Sequence, residues 1–285
     1  MDGHEILHEY YLQQHRNIEN YLELCLNYPE VELVHELRLS IKKLRAFHKL
    51  AGQLFRNETD ESFHIKYRVK QLYKAAGQLR DTQVQVHLLV SFEEKNSIEF
   101  PGFKKWLLRR EKKRISRFTK KPKQVIPQST TQNMHQKIGD MLALADDETI
   151  LTGAGKVLTA LALEARDLCT GTMNDRKLHH IRIITKQMRY ILNIMHHSYP
   201  DFTFEGISVS TLREMEAAVG QWHDNLVRIE LLDQYIKKMT SADNSENFKY
   251  QKLYNACKSE LDISFNETSQ LVQKALLTEN SEIQG

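Results

Sequence analysis

The sequence predicts an all-α protein, two four-helix bundles related by a pseudo-twofold axis with a basic groove between them. Three observations predict it. Proline is scarce and glycine modest, 5 and 11 in 285 residues, a composition that suits long helices better than a sandwich or barrel. Apolar residues recur at helical spacing along most of the chain, and strand-like alternation is nowhere sustained. A block of sequence also returns 144 residues later with its chemistry intact.

Periodicity places helices at 4–26, 30–56, 61–96, 101–120, 148–170, 175–199, 204–240 and 246–278, with a weaker one at 131–146. Pro29 falls where a first-turn proline is tolerated in the second helix, and Asp175 is expected to cap the sixth. Pro101 and Pro200 follow natural stops. Residues 1–130 are read as the first four-helix half, 131–147 as a connector and 148–285 as the second half.

The repeat carries the domain assignment. In the second helix His35, Arg38, Lys42 and Arg45 read H-x-x-R-x-x-x-K-x-x-R, and His179, Arg182, Lys186 and Arg189 repeat it 144 residues on. Gly77-Gln78-Leu79-Arg80-Asp81 in the third helix returns 143 residues later as Gly220-Gln221-Trp222-His223-Asp224. Cys25 and Cys169 are likewise 144 apart. A one-residue loop change accounts for the slip.

On a helical wheel His35, Arg38, Lys42, Arg45 and Lys49 fall within an arc of about 80° over about four turns. Leu33, Leu37, Ile41, Leu44 and Ala51 lie opposite, as a core face. The second copy sets His179, Arg182, Lys186 and Arg189 against Leu178, Ile181, Thr185, Met188 and Leu192. A single basic stripe is ordinarily just a solvated face, with acids mixed in as ion-pair partners. Here neither stripe contains a carboxylate, and the residue types recur in order, which solubility does not require.

The third helix puts Lys66, Lys70, Tyr73, Gly77, Arg80 and Val84 on one side and Leu72, Leu79 and Val86 on another; its counterpart offers Arg213, Gly220 and His223. A helical glycine costs about 1 kcal/mol relative to alanine, so the matched pair predicts close backbone approach to the His/Arg helix. Asp81 and Asp224 are expected either to hold an arginine by a charge-assisted hydrogen bond or to form ordinary inter-helix ion pairs. A third basic element, Lys104 to Lys123, holds eleven Lys or Arg against Glu111 alone.

The totals hide this distribution, for 40 basic residues nearly cancel 37 acidic ones. Three widely spaced cysteines argue against a disulfide framework and suit a reducing, cytoplasmic setting. No signal-peptide pattern opens the chain and no run approaches the roughly 18 apolar residues of a membrane span, so no membrane partner is expected.

Such stripes suit a phosphate polymer. Arginine offers a planar fork for two phosphate oxygens, lysine a mobile point charge and histidine a donor from each nitrogen when protonated. Phosphates recur along a chain every few ångströms, and residues one helical turn apart present donors about 5 Å apart. Affinity for a polyanion held this way falls steeply with salt.

With these residues, the chain resembles the CHAD family, the conserved-histidine α-helical domain, over essentially its whole length. The resemblance rests on the two H-x-x-R-x-x-x-K-x-x-R helices and the two G-x-x-(R/H)-D segments. It implies a basic central groove or pore, binding of inorganic polyphosphate and association with polyphosphate granules. It further implies ligand contacts at His35, Arg38, Lys42, Arg45, His179, Arg182, Lys186, Arg189 and Arg80. His223 stands where the first half has Arg80, a departure from the pattern. Lys49, Lys70 and Arg213 complete the candidate set by their places on the stripes. The E-x-E-x-K signature of the triphosphate tunnel enzymes that often accompany such domains is missing, since Glu30-Val31-Glu32-Leu33-Val34 lacks the lysine.

Rival readings remain open at this level. Paired histidines can accept phosphate or bind metal, but a phosphoanhydride hydrolase wants carboxylates around a divalent ion, and the stripes have none. The pairs His179-His180 and His196-His197 point about 100° apart on a helix. His48, His64 and His87 read as core-edge or surface residues. No catalytic residue, metal or cofactor is assigned. Nucleic acid is permitted by the charge but not preferred, since aromatics for base stacking are few beyond Tyr73 and Tyr190. An acidic protein partner is the third alternative.

Overall fold

The computed structural model describes residues 2–55, 67–120, 128–239 and 244–278, and every regular element among them is an α-helix. In order these are α1 (Gly3–Asn27), α2 (Val31–Leu54), α3 (Tyr67–Asn96), α4 (Pro101–Phe118), α5 (Gln128–Leu144), α6 (Asp147–Cys169), α7 (Asp175–Ser198), α8 (Val209–Ile236) and α9 (Asn244–Thr278). Position 56 of the second predicted helix, 61–66 of the third and 240 of the seventh lie outside the described residues, as do His64, Lys66, Lys121 and Lys123.

Local chemistry sets the helix starts. Thr149 N–H donates to Asp146 Oδ1 at 2.7 Å to open α6, and Thr211 N–H donates to Ser208 Oγ at 3.0 Å to open α8. Each side chain satisfies one of the amides a helix leaves unpaired at its start. The cap of α7 is Asn174, which accepts from Lys177 N–H at 3.0 Å, so Asp175 is the first helical residue and not the cap. Pro29 likewise precedes α2, whose first residue is Val31, and its carbonyl accepts from Gln83 Nε2 at 3.1 Å. Pro101 opens α4, where its missing N–H costs nothing. The predicted helix 204–240 begins late, at Val209: Pro200 and Gly206 resist helix on one side, and the Ser208 cap fixes the start on the other.

Two helices are central. α2 packs on α1, α3, α6 and α7, while α7 packs on α6, α8, α1 and α2. The sequence of neighbours α1–α2–α3–α4 is repeated by α6–α7–α8–α9, and α3 meets α8 across the middle. α5, in the connector, packs on α1. This placement explains why burial on α2 exceeds the predicted face: Val34, Leu37, Ile41, Leu44, Ala46, Phe47, Leu50 and Ala51 are all buried, with Leu33 only half so. On α7 the whole predicted face of Leu178, Ile181, Thr185, Met188 and Leu192 is buried. Each such aliphatic side chain contributes about 1.5–3 kcal/mol.

The main core runs without interruption from α1 to α9. A smaller cluster joins the ends of α3 and α4 to α8 and α9 through Leu89, Phe103, Leu107, Leu232 and Tyr250, with Phe103 N–H donating to Tyr250 Oη at 3.2 Å. Cys25, Cys169 and Cys257 are buried and unpaired thiols. No described helix is long and apolar enough to cross a membrane.

Candidate functional site

Where α2 and α7 run together, the two basic stripes border one seam. Lys49 Nζ donates to Gln187 Oε1 at 3.2 Å across it. His35, Arg45, Lys49 and His179 are exposed, whereas Arg38, Lys42, Arg182, Lys186 and Arg189 are half-buried. The middle of each stripe is thus drawn into the protein; both ends of the first face water, whereas the second is exposed only at His179.

The electrostatics show that the stripes merge. The Lys42 ammonium is pushed down to about 7, first by burial and then by Lys186, Arg38 and Arg182. Lys186 is pushed down to about 8 by burial and then by Arg182, with Arg189 and Arg38 adding and Glu216 opposing. Each lysine therefore lies in the field of cations from the other half. His223 on α8 joins them: burial, then Arg182, His179, Lys186 and Arg38, lower it to about 3, and its ring lies 5.7 Å from that of His179. Partial burial followed by Arg80 lowers His35, and partial burial followed by Arg182 lowers His179. In the free protein each of these environments disfavours the protonated imidazole. Two buried nitrogens at this place, Arg182 Nε and His223 Nδ1, have no hydrogen-bond partner among the described residues. A buried polar atom so placed costs about 1–3 kcal/mol.

The first-half arginines are propped by α3. Arg38 Nη1 donates to the Tyr73 carbonyl at 3.1 Å, and its guanidinium lies 4.6 Å from the Tyr73 ring; that of Arg45 lies 5.4 Å from the same ring. Arg80 Nη1 makes a long hydrogen bond, 3.4 Å, to the Val31 carbonyl, which brings its charge beside His35. Gly77 is crowded by a side chain rather than by the expected neighbouring backbone: a Cβ there would strike Arg38 Nη1. Gly220 is not: a Cβ there meets nothing within 4 Å. On α8 the position that corresponds to Tyr73 is not a tyrosine.

That position holds Glu216 instead, 143 residues after Tyr73, and it is the functional neighbour the stripes alone do not reveal. Arg189 Nε and Nη2 donate to Glu216 Oε1 and Oε2 at 2.6 and 3.1 Å, a two-pronged ion pair, while the guanidinium lies 4.8 Å from the Tyr190 ring. Carrying the third-helix alignment one turn toward the N-terminus exposes this exchange of tyrosine for glutamate.

Asp81 and Asp224 do neither thing expected of them. No ion pair joins either to an arginine among the described residues. Burial raises both carboxyls, while Arg38 and Arg182 pull Asp81 back most and Arg182 does so for Asp224. Asp224 is fixed instead through its backbone carbonyl, which accepts from Gln85 Nε2 at 2.8 Å. Lys70 and Arg213 are exposed on α3 and α8, and no hydrogen bond or ion pair among the described residues ties either to the cluster.

The adjacent histidines separate as their helix dictates. His179 faces His223, while His180 Nε2 reaches Glu164 on α6 at 3.0 Å. His196 lies by Phe202 and His197 by Tyr10. His48 is buried and His87 exposed. No group of three or more His, Cys, Asp or Glu among the described residues is arranged to hold a metal. On α4, Lys104 is tied to Glu93 at 2.8 Å, and Glu93 also accepts from Phe100 N–H at the helix start. Lys105, Arg109, Lys112, Lys113 and Lys120 are exposed.

What this seam can do is present arginine forks, mobile ammonium groups and the unanswered Arg182 Nε–H to a run of anionic oxygens. Comparison with known proteins bears on the scaffold. The chain is similar to the CHAD domain from the plant Ricinus communis, with 14% identity over 95% of this chain and 93% of that one, at a TM-score of 0.65. It is also similar to PptA from Streptomyces chartreusis, with 15% identity over 96% of this chain and 100% of that one, at a TM-score of 0.61. No curated protein matched the sequence. At such identities these structures speak for the fold, which they share from end to end. The CHAD domain model itself matches residues 9–233, and the chain belongs to that family.

Proposed function

We propose that the protein binds inorganic polyphosphate in the seam between α2 and α7, without catalysing a reaction on it. The observation that carries this reading is the gathering of half-buried Lys42, Lys186, Arg38 and Arg182 from both halves in one place, where burial and the neighbouring cations lower both lysines. Crowding cations from two halves into one half-buried place is costly unless an anion occupies it. A linear polyanion uses such a place along its length, because the arginines continue outward on both stripes. The resemblance to CHAD domains points to the same ligand, and polyphosphate granules are the cellular destination it implies.

Nucleic acid fits less well. The aromatic faces beside the cluster are already covered by guanidinium groups, Tyr73 by Arg38 and Arg45 and Tyr190 by Arg189. Bases would have to displace them to stack.

The test is binding of long-chain polyphosphate at about 150 mM salt, where attraction to scattered surface charge is weakened. The comparison protein carries Arg38→Ala, Arg45→Ala, Arg182→Ala and Arg189→Ala, with folding checked by circular dichroism. Tight binding that the folded variant loses is the expected result. Binding unchanged in the variant, or displacement of polyphosphate by RNA at equal phosphate concentration, overturns it. Phosphate release with Mg²⁺ or Mn²⁺ present would instead make the protein an enzyme.

A further inference from the structure

α4 carries a basic stretch within its inward face, between the buried Leu107 and the buried Phe118. Phe103 and Leu107 are buried there, and the same face continues one and two turns later as Arg110 and Arg114, with Arg117 at its edge. Arg110 and Arg114 are half-buried. Arg114 Nη1 donates to Gln78 Oε1 on α3, and Arg110 lies over Trp106, its guanidinium 5.2 Å from the ring. None of the three is ion-paired with an acid among the described residues. Arginines that merely rest their stems on a core spread their heads into water, as Lys105, Arg109 and Lys112 do on the outer face. Two half-buried arginines on the packed side with an exposed third beside them, each lying near its like-charged neighbours, need another reason. Burial, then Arg114 and Arg117, disfavour the charge on Arg110.

The row abuts the seam. Gln78 lies two residues before Arg80 and three before Asp81 on α3. Asp81 acts on Arg114 from one side and is itself acted on by Arg38, Arg182 and Lys42 from the other. The second half has no such row. α9 holds the place beside α8 that α4 holds beside α3, but offers it Ser264, Phe265 and Thr268: Asn225 Nδ2 donates to Ser264 Oγ, Thr268 Oγ1 to the Ala218 carbonyl, and Phe265 packs near Trp222. α4 carries eight Lys or Arg and one acid, whereas α9 carries four lysines and four acids.

We propose that the polyphosphate site is one-sided: a chain seated between α2 and α7 continues over the first half along the Arg110–Arg114–Arg117 row and has no equivalent track over α9. The inference rests on the polyphosphate reading above and adds a second, length-dependent segment to it. Tripolyphosphate, short enough to sit in the seam alone, makes no use of the row. A long chain uses both.

The experiment compares two α4 variants that lose the same charge. One carries Arg110→Gln, Arg114→Gln and Arg117→Gln; the other carries Lys105→Gln, Arg109→Gln and Lys112→Gln on the outer face. A third protein, Lys252→Gln with Lys258→Gln, probes α9. Affinity for long-chain polyphosphate and for tripolyphosphate is measured against salt concentration. The inward variant is expected to bind the long chain at least tenfold more weakly at about 50 mM salt and to lower the salt slope by about 2, on roughly 0.7 per lost phosphate contact. Tripolyphosphate binding stays unchanged, and the outer and α9 variants stay close to the parent. Equal losses in the inward and outer variants, or a comparable loss in the α9 variant, overturn the one-sided track. Failure of the parent to bind, or of the seam variant to lose binding, is a different result and removes the polyphosphate reading itself. Should the inward variant not fold, phenylglyoxal modification of the unaltered protein decides. Long-chain polyphosphate is expected to protect Arg110, Arg114 and Arg117, and their full reactivity in its presence sinks the proposal.

Discussion

At Lys42 and Lys186, charge is conditional. Their ammonium groups are held near 7 and 8 by burial and by the opposing half's cations, so the free protein sheds those protons as pH rises through that range. A bound polyanion favours the charged form, and binding therefore takes up protons. Affinity for polyphosphate should fall between pH 7 and 9, roughly tenfold per pH unit for each lysine fully neutral in the free protein. Stability moves the opposite way. The unfolded chain keeps these protons up to the ordinary lysine value, so the native state gains relative to it as pH climbs from about 7. The pair Lys42→Arg and Lys186→Arg, which cannot lose its charge, should flatten the binding profile; a profile that keeps its slope in that variant refutes the assignment to these lysines. The stripe was legible at this scale because His, Arg, Lys and Arg recur in register. Glu216 was not, because a partner for Arg189 on a neighbouring helix leaves no mark in the stripe's own spacing. Nor was the neutrality of His223, which depends on what surrounds it rather than on its position.

Among elements, α3 and α8 began as copies and now do different work, and their glycines show it. Gly77 makes room for the Arg38 guanidinium, while Gly220 faces open space. Gly220→Ala should stabilise the protein by about 0.5–1 kcal/mol through helix propensity alone and leave polyphosphate binding as it was. Gly77→Ala gains the same propensity but pushes Arg38 from its hydrogen bond to the Tyr73 carbonyl, so its affinity should drop. Thermal melts with binding isotherms check both, and equal affinities in the two variants would show that the Arg38 position is unimportant. Most helices were legible from apolar spacing. The misassigned cap, Asp175 for Asn174, and the misplaced start, 204 for 209, have a common cause. Asn and Ser caps act through single hydrogen bonds that outweigh the apolar pattern beyond them, and periodicity is blind to them.

For the whole molecule, the decisive feature is that the main core does not divide between the halves. Residues of α1, α2 and α3 share one cluster with those of α6, α7 and α8, and a second cluster ties α3 and α4 to α8 and α9. Calorimetry should accordingly show one cooperative unfolding transition, with van't Hoff and calorimetric enthalpies equal. Two resolved transitions would mean that the halves fold as independent units. The repeat was legible because it is linear in the chain. Which faces of the repeated helices meet was not, for the broad burial on α2 comes from α6 and α7, more than a hundred residues away. Because the proposed ligand seam is also the joint between α2 and α7, an occupant there would act as a staple. An anion held from both sides resists their parting, and at a free concentration a hundred times its dissociation constant it adds about 2.7 kcal/mol to the stability of the entire fold. Cells rich in the polymer would thus hold a sturdier form of this protein than cells without it.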